Sequence, residues 1–120
     1  MPVTETDRRP EPLAGFPDDG PYRWLELADA DGLYAVCAVA ERREHLELHI
    51  TVTRWGPRTR RILARDLEWL KEEARRLGLS KIMGVRADDR GRFDEKLFRF
   101  ARLYGFGEMC VFQTASLDVK

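Results

Sequence analysis

Glu47 and His49 stand two residues apart in His45-Leu-Glu-Leu-His-Ile-Thr-Val-Thr53, a run in which apolar and polar residues alternate. A period of two marks a half-buried strand, so Leu46, Leu48, Ile50 and Val52 share one face and Glu47, His49, Thr51 and Thr53 the other. A carboxylate and an imidazole on one strand face are candidates for a general base, with ordinary solvated strand polarity as the alternative. His45 and His49 are the chain's two histidines. At a four-residue spacing on one strand they do not make a metal site by themselves.

A second cluster follows directly. Arg58, Arg60 and Arg61 crowd a predicted helix start, with Arg65 one turn later. The positive end of the helix dipole disfavours cations there by roughly 0.3–1 kcal/mol each. Exposed amides and several guanidiniums together would hold an anion: a phosphate, a partner's carboxylates or a nucleic-acid backbone. The alternative is a solvated surface whose arginines pair with Asp66, Glu68 and Glu72 on the same helix.

The elements that must position these groups are readable from pattern. Tyr22–Ala28 and Leu33–Ala40 flank Asp29-Ala-Asp-Gly32, a strand–turn–strand signal for a hairpin. Glu41–Glu44 is a charged turn into the alternating strand. Trp55-Gly-Pro57 breaks that strand, and Pro57 suits a first helical turn. Leu63, Leu67, Leu70, Ala74 and Leu77 recur at spacings of four and three, which predicts one buried stripe on a helix from Arg58 to Leu77. Gly78 supplies its stop. Lys81–Arg86 reads as a strand parallel to the one before the helix. A loop at 88–92, a helix carrying Phe93, Leu97, Phe100 or Ala101 and Tyr104, a stop at Gly105 and a last strand over Met109–Leu117 complete the order. Asp89 or Asp94 is the candidate cap of that second helix. The predicted class is α+β: a mixed sheet with an N-terminal antiparallel meander and two main helices.

Residues 1–21 hold five of the six prolines, so they are expected to form an extended arm, with Leu13 and Phe16 as pins to the body. Residues 22–120 then form a single domain. The chain of 120 residues balances 21 basic against 21 acidic side chains, which removes bulk attraction to nucleic acid or anionic lipid. No apolar run approaches the roughly 20 residues of a bilayer span, and the N-terminus lacks a signal-peptide pattern. Cys37 and Cys110 lie in apolar strand-like runs without a CxxC partner, as buried reduced thiols would.

The order of elements from His45 to Leu117, together with Tyr104-Gly-Phe106, resembles the second half of a GNAT-type N-acyltransferase. That family's strand ends in Val, and a helix opens on Arg/Gln-x-x-Gly-x-Gly/Ala to cradle the pyrophosphate of acetyl-CoA. The resemblance implies Val52 at the strand end and Arg58, Arg60 and Arg61 as phosphate-side residues. It also implies Glu47 or His49 as the base. The family's two glycine positions fall on Arg61 and Leu63 or near them, with Ala64 next, and its proton-donating tyrosine, four residues before the final Gly-Phe, falls on Ala101. Its first strand and two early helices have no clear counterpart among residues 1–30. Within the superfamily the chain looks most like the small acetyltransferase-like proteins encoded by tailed bacteriophages.

These departures favour a non-catalytic scaffold that binds a protein partner through residues 1–21, exposed tryptophans and the arginine-rich helix start. A virion or host-cytoplasm setting and self-association through a sheet edge go with that expectation. The alternative is acyl transfer from acetyl-CoA to an amine.

Overall fold

The computed structural model describes residues 3–85, 95–107, 115, 117 and 118. The chain divides into two units, residues 1–86 and 87–120. The first carries one five-stranded sheet in sequential order: β1 (Val3–Thr6), β2 (Arg23–Asp29), β3 (Gly32–Glu41), β4 (Leu46–Val52) and β5 (Ile82–Gly84). The first four strands are antiparallel neighbours, and β5 runs parallel to β4. Helix α1 (Thr59–Arg76) connects those two parallel strands, as the strand–helix–strand pattern requires. The class is α+β with a mixed sheet.

The β2–β3 hairpin closes at the Asp29↔Gly32 pair, where Gly32 takes φ +113°, a left-handed conformation that suits glycine. Register then sets Trp24 against Ala38, Ala38 against His49 and Ala40 against Glu47. The face behind Glu47 and His49 is thereby small and aromatic.

Residues 3–6 are not a free arm. They pair with Leu27 through Trp24 as the edge strand of the sheet. After a 3-10 turn at Glu11–Leu13, Leu13 sinks to 2% exposure among Trp24, Val36 and Ala38, with Phe16 and Tyr22 packed against the same cluster. Burial of such a leucine contributes roughly 1.5–3 kcal/mol. The prolines fall outside the paired residues, which is how a proline-rich stretch still contributes a strand.

The opposite face of the sheet holds Leu25, Leu27, Cys37, Val39, Leu46 and Leu48, all buried, and α1 adds Leu63, Leu70 and Ala74. The expected stripe needs one correction. Leu67 and Leu77 are half-buried, whereas Asp66 is buried at 1% exposure. Position 66 lies three residues past Leu63 and four before Leu70, on the inward face by helical geometry. There its carboxylate accepts a hydrogen bond from the Tyr34 hydroxyl, also fully buried. Arg23 adds a tie from β2 to Glu73 at 3.7 Å. Gly78 ends α1 with φ +75°, and its amide donates to Arg75 O at 3.0 Å. Burial pushes the Cys37 thiol up to about 12, so it is an inert core residue.

In the second unit, α2 spans Glu95–Arg102, the Phe100 and Tyr104 rings lie 5.1 Å apart, and Gly105 follows at φ +90°. The expected loop at 88–92, Asp89, Phe93, Asp94, Cys110 and most of the expected strand over 109–117 lie outside the described residues.

Candidate active site

Glu47 is the hub of the sheet face opposite α1. It sits mid-strand next to Ala40 of β3, whose methyl leaves room for long side chains. Three donors converge on its carboxylate. Tyr22 Oη donates to Oε2 at 2.8 Å, Arg42 Nε donates to Oε1 at 3.0 Å, and His49 Nε2 lies 2.6 Å from Oε2. Burial alone would raise the carboxyl, but the His49, Arg42 and Tyr22 hydrogen bonds outweigh it and hold the group at about 2. Glu47 is therefore a stable anion and a poor proton acceptor.

His49 is packed as well as bonded. The Phe16 ring meets its imidazole edge-on at 4.7 Å between centroids, and the Tyr22 ring does so at 5.8 Å. Tyr22 stacks on Trp24 at 6.1 Å, and the Arg42 guanidinium lies 5.8 Å from the Tyr22 centroid. Burial, then the hydrogen bond to Glu47, pushes the Tyr22 hydroxyl up, so it stays a protonated donor.

Strand alternation singles out Glu47 and His49 in the sequence, whereas nothing in the pattern singles out Tyr22 and Arg42. Both reach Glu47 across strands, from just before β2 and just after β3, so their roles depend on register. A usable signal exists: extending the Trp24↔Ala38 pairing by two residues carries Tyr22 toward Ala40, the neighbour of Glu47.

The arginine cluster occupies the other end of β4. Val52 ends that strand opposite Ala35. Trp55 is 57% exposed in the turn that follows. Thr59 and Gly56 close the turn reciprocally: Gly56 N donates to Thr59 Oγ1 at 2.8 Å and Thr59 N donates to Gly56 O at 3.1 Å. Arg58 is the N-cap without a side-chain cap bond, and Arg58, Arg60 and Arg61 are all exposed. Glu68 and Glu72 do not neutralise this end, because they pair with Lys71 and Arg75. Asp66 is turned inward, with Arg65 Nε 3.7 Å from its Oδ1.

Of the two positions where the GNAT-type pattern has glycine, Leu63 is buried in the core and Arg61 is exposed. Only Arg61 thus puts bulk on the outer side of the helix start, and that bulk carries the charge a pyrophosphate would meet. The donor set suits a pyrophosphate in charge, while its backbone is less open than glycines would leave it. Ala101 and Tyr104 belong to the second unit, on α2 and just beyond it. Among the described residues no group of three or more His, Cys, Asp or Glu could hold a metal ion, and no helix is long and apolar enough to cross a membrane.

No protein-family model and no curated protein matches the chain. Solved structures do. A probable acetyltransferase superposes with a TM-score of 0.56 at 16% identity, covering 83% of this chain and 69% of that one. The tetramutant of the BH1408 protein from Bacillus halodurans gives 0.54 at 17% identity, over 84% of this chain and 68% of that one. An aminoglycoside acetyltransferase from an uncultured soil metagenomic sample, in complex with trehalose, gives 0.52 at 14% identity, over 92% and 76%. At these identities the likeness concerns fold: the chain has the acetyltransferase-like GNAT fold, over roughly two thirds to three quarters of those proteins' length.

Proposed function

We propose that the protein is an N-acyltransferase that moves an acyl group from acyl-CoA, acetyl-CoA in the simplest case, to an amine. The observation that carries this reading is the Glu47–His49 pair, 2.6 Å apart, on the strand that leads directly to the arginine-rich start of α1. In the acetyltransferase-like fold those two places serve proton removal and cofactor phosphates. Arg58, Arg60 and Arg61 would hold the phosphates beyond the end of β4 at Val52. The cofactor supplies an activated thioester. The protein supplies orientation, a proton acceptor and partial exclusion of water by Phe16, Tyr22 and Trp24.

Arg61 at a glycine position favours a second reading, in which the fold is an interaction scaffold and the arginines meet a partner's carboxylates. A virion or accessory role belongs with that reading, and none of the structural relatives supports it. The two readings separate in an assay of free thiol released from acetyl-CoA in the presence of a panel of primary amines. Amine-dependent release above the buffer rate, with a matching acetylated product by mass, is expected. Absence of product across the panel, with purified and folded protein, favours the scaffold.

A further inference from the structure

Neighbouring antiparallel strands are usually joined by about 2–5 residues. Here β1 ends at Thr6 and β2 begins at Arg23, and much of the connection lies back over the sheet face opposite α1. The row beneath it is continuous across four strands: Thr6 pairs with Trp24, Trp24 with Ala38 and Ala38 with His49. Leu13 seals Trp24, Val36 and Ala38, and the Phe16 ring closes on the His49 imidazole at 4.7 Å. Trp24 is left 4% exposed.

This connection is tied to itself more than to the sheet. Leu13 N donates to Pro10 O at 2.9 Å, Ala14 N to Glu11 O at 3.0 Å and Phe16 N to Leu13 O at 3.0 Å. Arg9 Nη1 donates to Phe16 O at 2.5 Å. Pro10, Pro12 and Pro17 fix the backbone over the same stretch. Among the described residues, no backbone-to-backbone hydrogen bond joins residues 7–21 to the sheet. The inward anchors are Leu13 and Phe16, while Asp7, Arg8, Glu11, Asp18 and Asp19 are exposed. A segment bonded internally and pinned by few apolar contacts opens at lower free energy than the ladder under it.

We propose that residues 7–21 are a strap that opens as one body, withdrawing Leu13 and Phe16 together, and that this opening governs access to Glu47 and His49. The hinges stay in place: β1 remains paired with β2, and Tyr22 keeps its 2.8 Å bond to Glu47. The opening is a property of the fold. That the group admitted is an acceptor amine rests on the acyl-transfer reading above.

The test is the rate at which diethyl pyrocarbonate modifies each histidine of the full chain, read by peptide mass. His45 lines a surface cavity with Glu44, Ser80 and Lys81 and serves as the internal reference. In the wild type His49 is expected to react about 10-fold or more slowly than His45. Leu13→Ala removes the pin that sits on Trp24, Val36 and Ala38, and is expected to speed His49 about 10-fold or more. The His45 rate and the hydrogen-exchange protection of the β3 amides should not change. Leu13→Val, a milder truncation, should give a smaller rise in the same direction. Phe16→Ala uncovers the imidazole directly and should speed His49 as well. Faster His49 in Phe16→Ala with no change in either Leu13 variant means a fixed cover and overturns the proposal. So does a wild-type His49 as reactive as His45, or a rise matched by lost protection throughout β3. Absence of acyl transfer by the wild type counts against the acyl-transfer reading alone, because the modification rates decide the strap.

Discussion

Three donors reach Glu47 and one reaches Asp66, and the two carboxyls shift in opposite directions. Glu47 is held down at about 2 from 4.5, so its contribution to stability is present above pH 4.5 and is lost as pH falls toward 2. Asp66 is pushed up from 3.8 to about 6 by burial, and its Oδ1 has no hydrogen-bond partner. Between those two values the unfolded chain has released the proton while the folded chain still holds it. Asp66 therefore lowers stability as pH rises from about 4 to about 6, by on the order of 3 kcal/mol. Urea melts across pH 3–7 should show Asp66→Asn flattening that decline. Glu47→Gln should cost about 1–3 kcal/mol at pH 7, with the difference shrinking toward pH 2. A profile for Asp66→Asn parallel to wild type would mean the carboxyl is not buried in solution. Asp66 was hard to find by sequence because its charge suggests a surface, while helical spacing puts it under Tyr34. The pairing of Glu47 with His49 was legible from strand alternation. Their shared partners were not, since Tyr22 and Arg42 lie 25 and 5 residues away from Glu47 and arrive only through register.

At the scale of elements, β4 and α1 carry the candidate site and were the most legible parts of the chain. Clean period-two and period-3.6 patterns fixed both, and Gly78 marked the end of α1. Its φ of +75° is the reason for glycine there, since an added Cβ would meet no atom within 4 Å. Gly78→Ala should therefore cost about 1 kcal/mol by chemical denaturation, through backbone conformation alone. Strand β1 was the illegible element: four residues between prolines give too short a pattern for alternation to speak. Its docking makes a direct forecast. Leu13→Ala should cost about 2–5 kcal/mol, because it empties a site buried against Trp24, Val36 and Ala38. Deleting residues 1–21 should lower stability further by removing β1, whereas an unattached arm could be removed at no cost to the melting temperature.

For the whole molecule, element order was enough to indicate the fold, and the superposed structures agree with it at 14–17% identity. Function is less legible because Arg61, Leu63 and Ala101 stand where the resemblance to GNAT-type enzymes expects two glycines and a tyrosine. The structure changes the weight of those replacements: Leu63 is a core residue, so Arg61 is the exposed departure at the helix start. The most direct test is a titration of the native protein with acetyl-CoA, followed by melting temperature and calorimetry. Ligand at 100 times its Kd stabilises a native-only binder by about 2.7 kcal/mol, a rise in Tm on the order of 10 °C for a chain of this size. Acyl-CoA binding at the start of α1 should give a saturable rise that is abolished in the Arg58→Ala, Arg61→Ala double variant. A melting temperature unmoved by millimolar acetyl-CoA would contradict it.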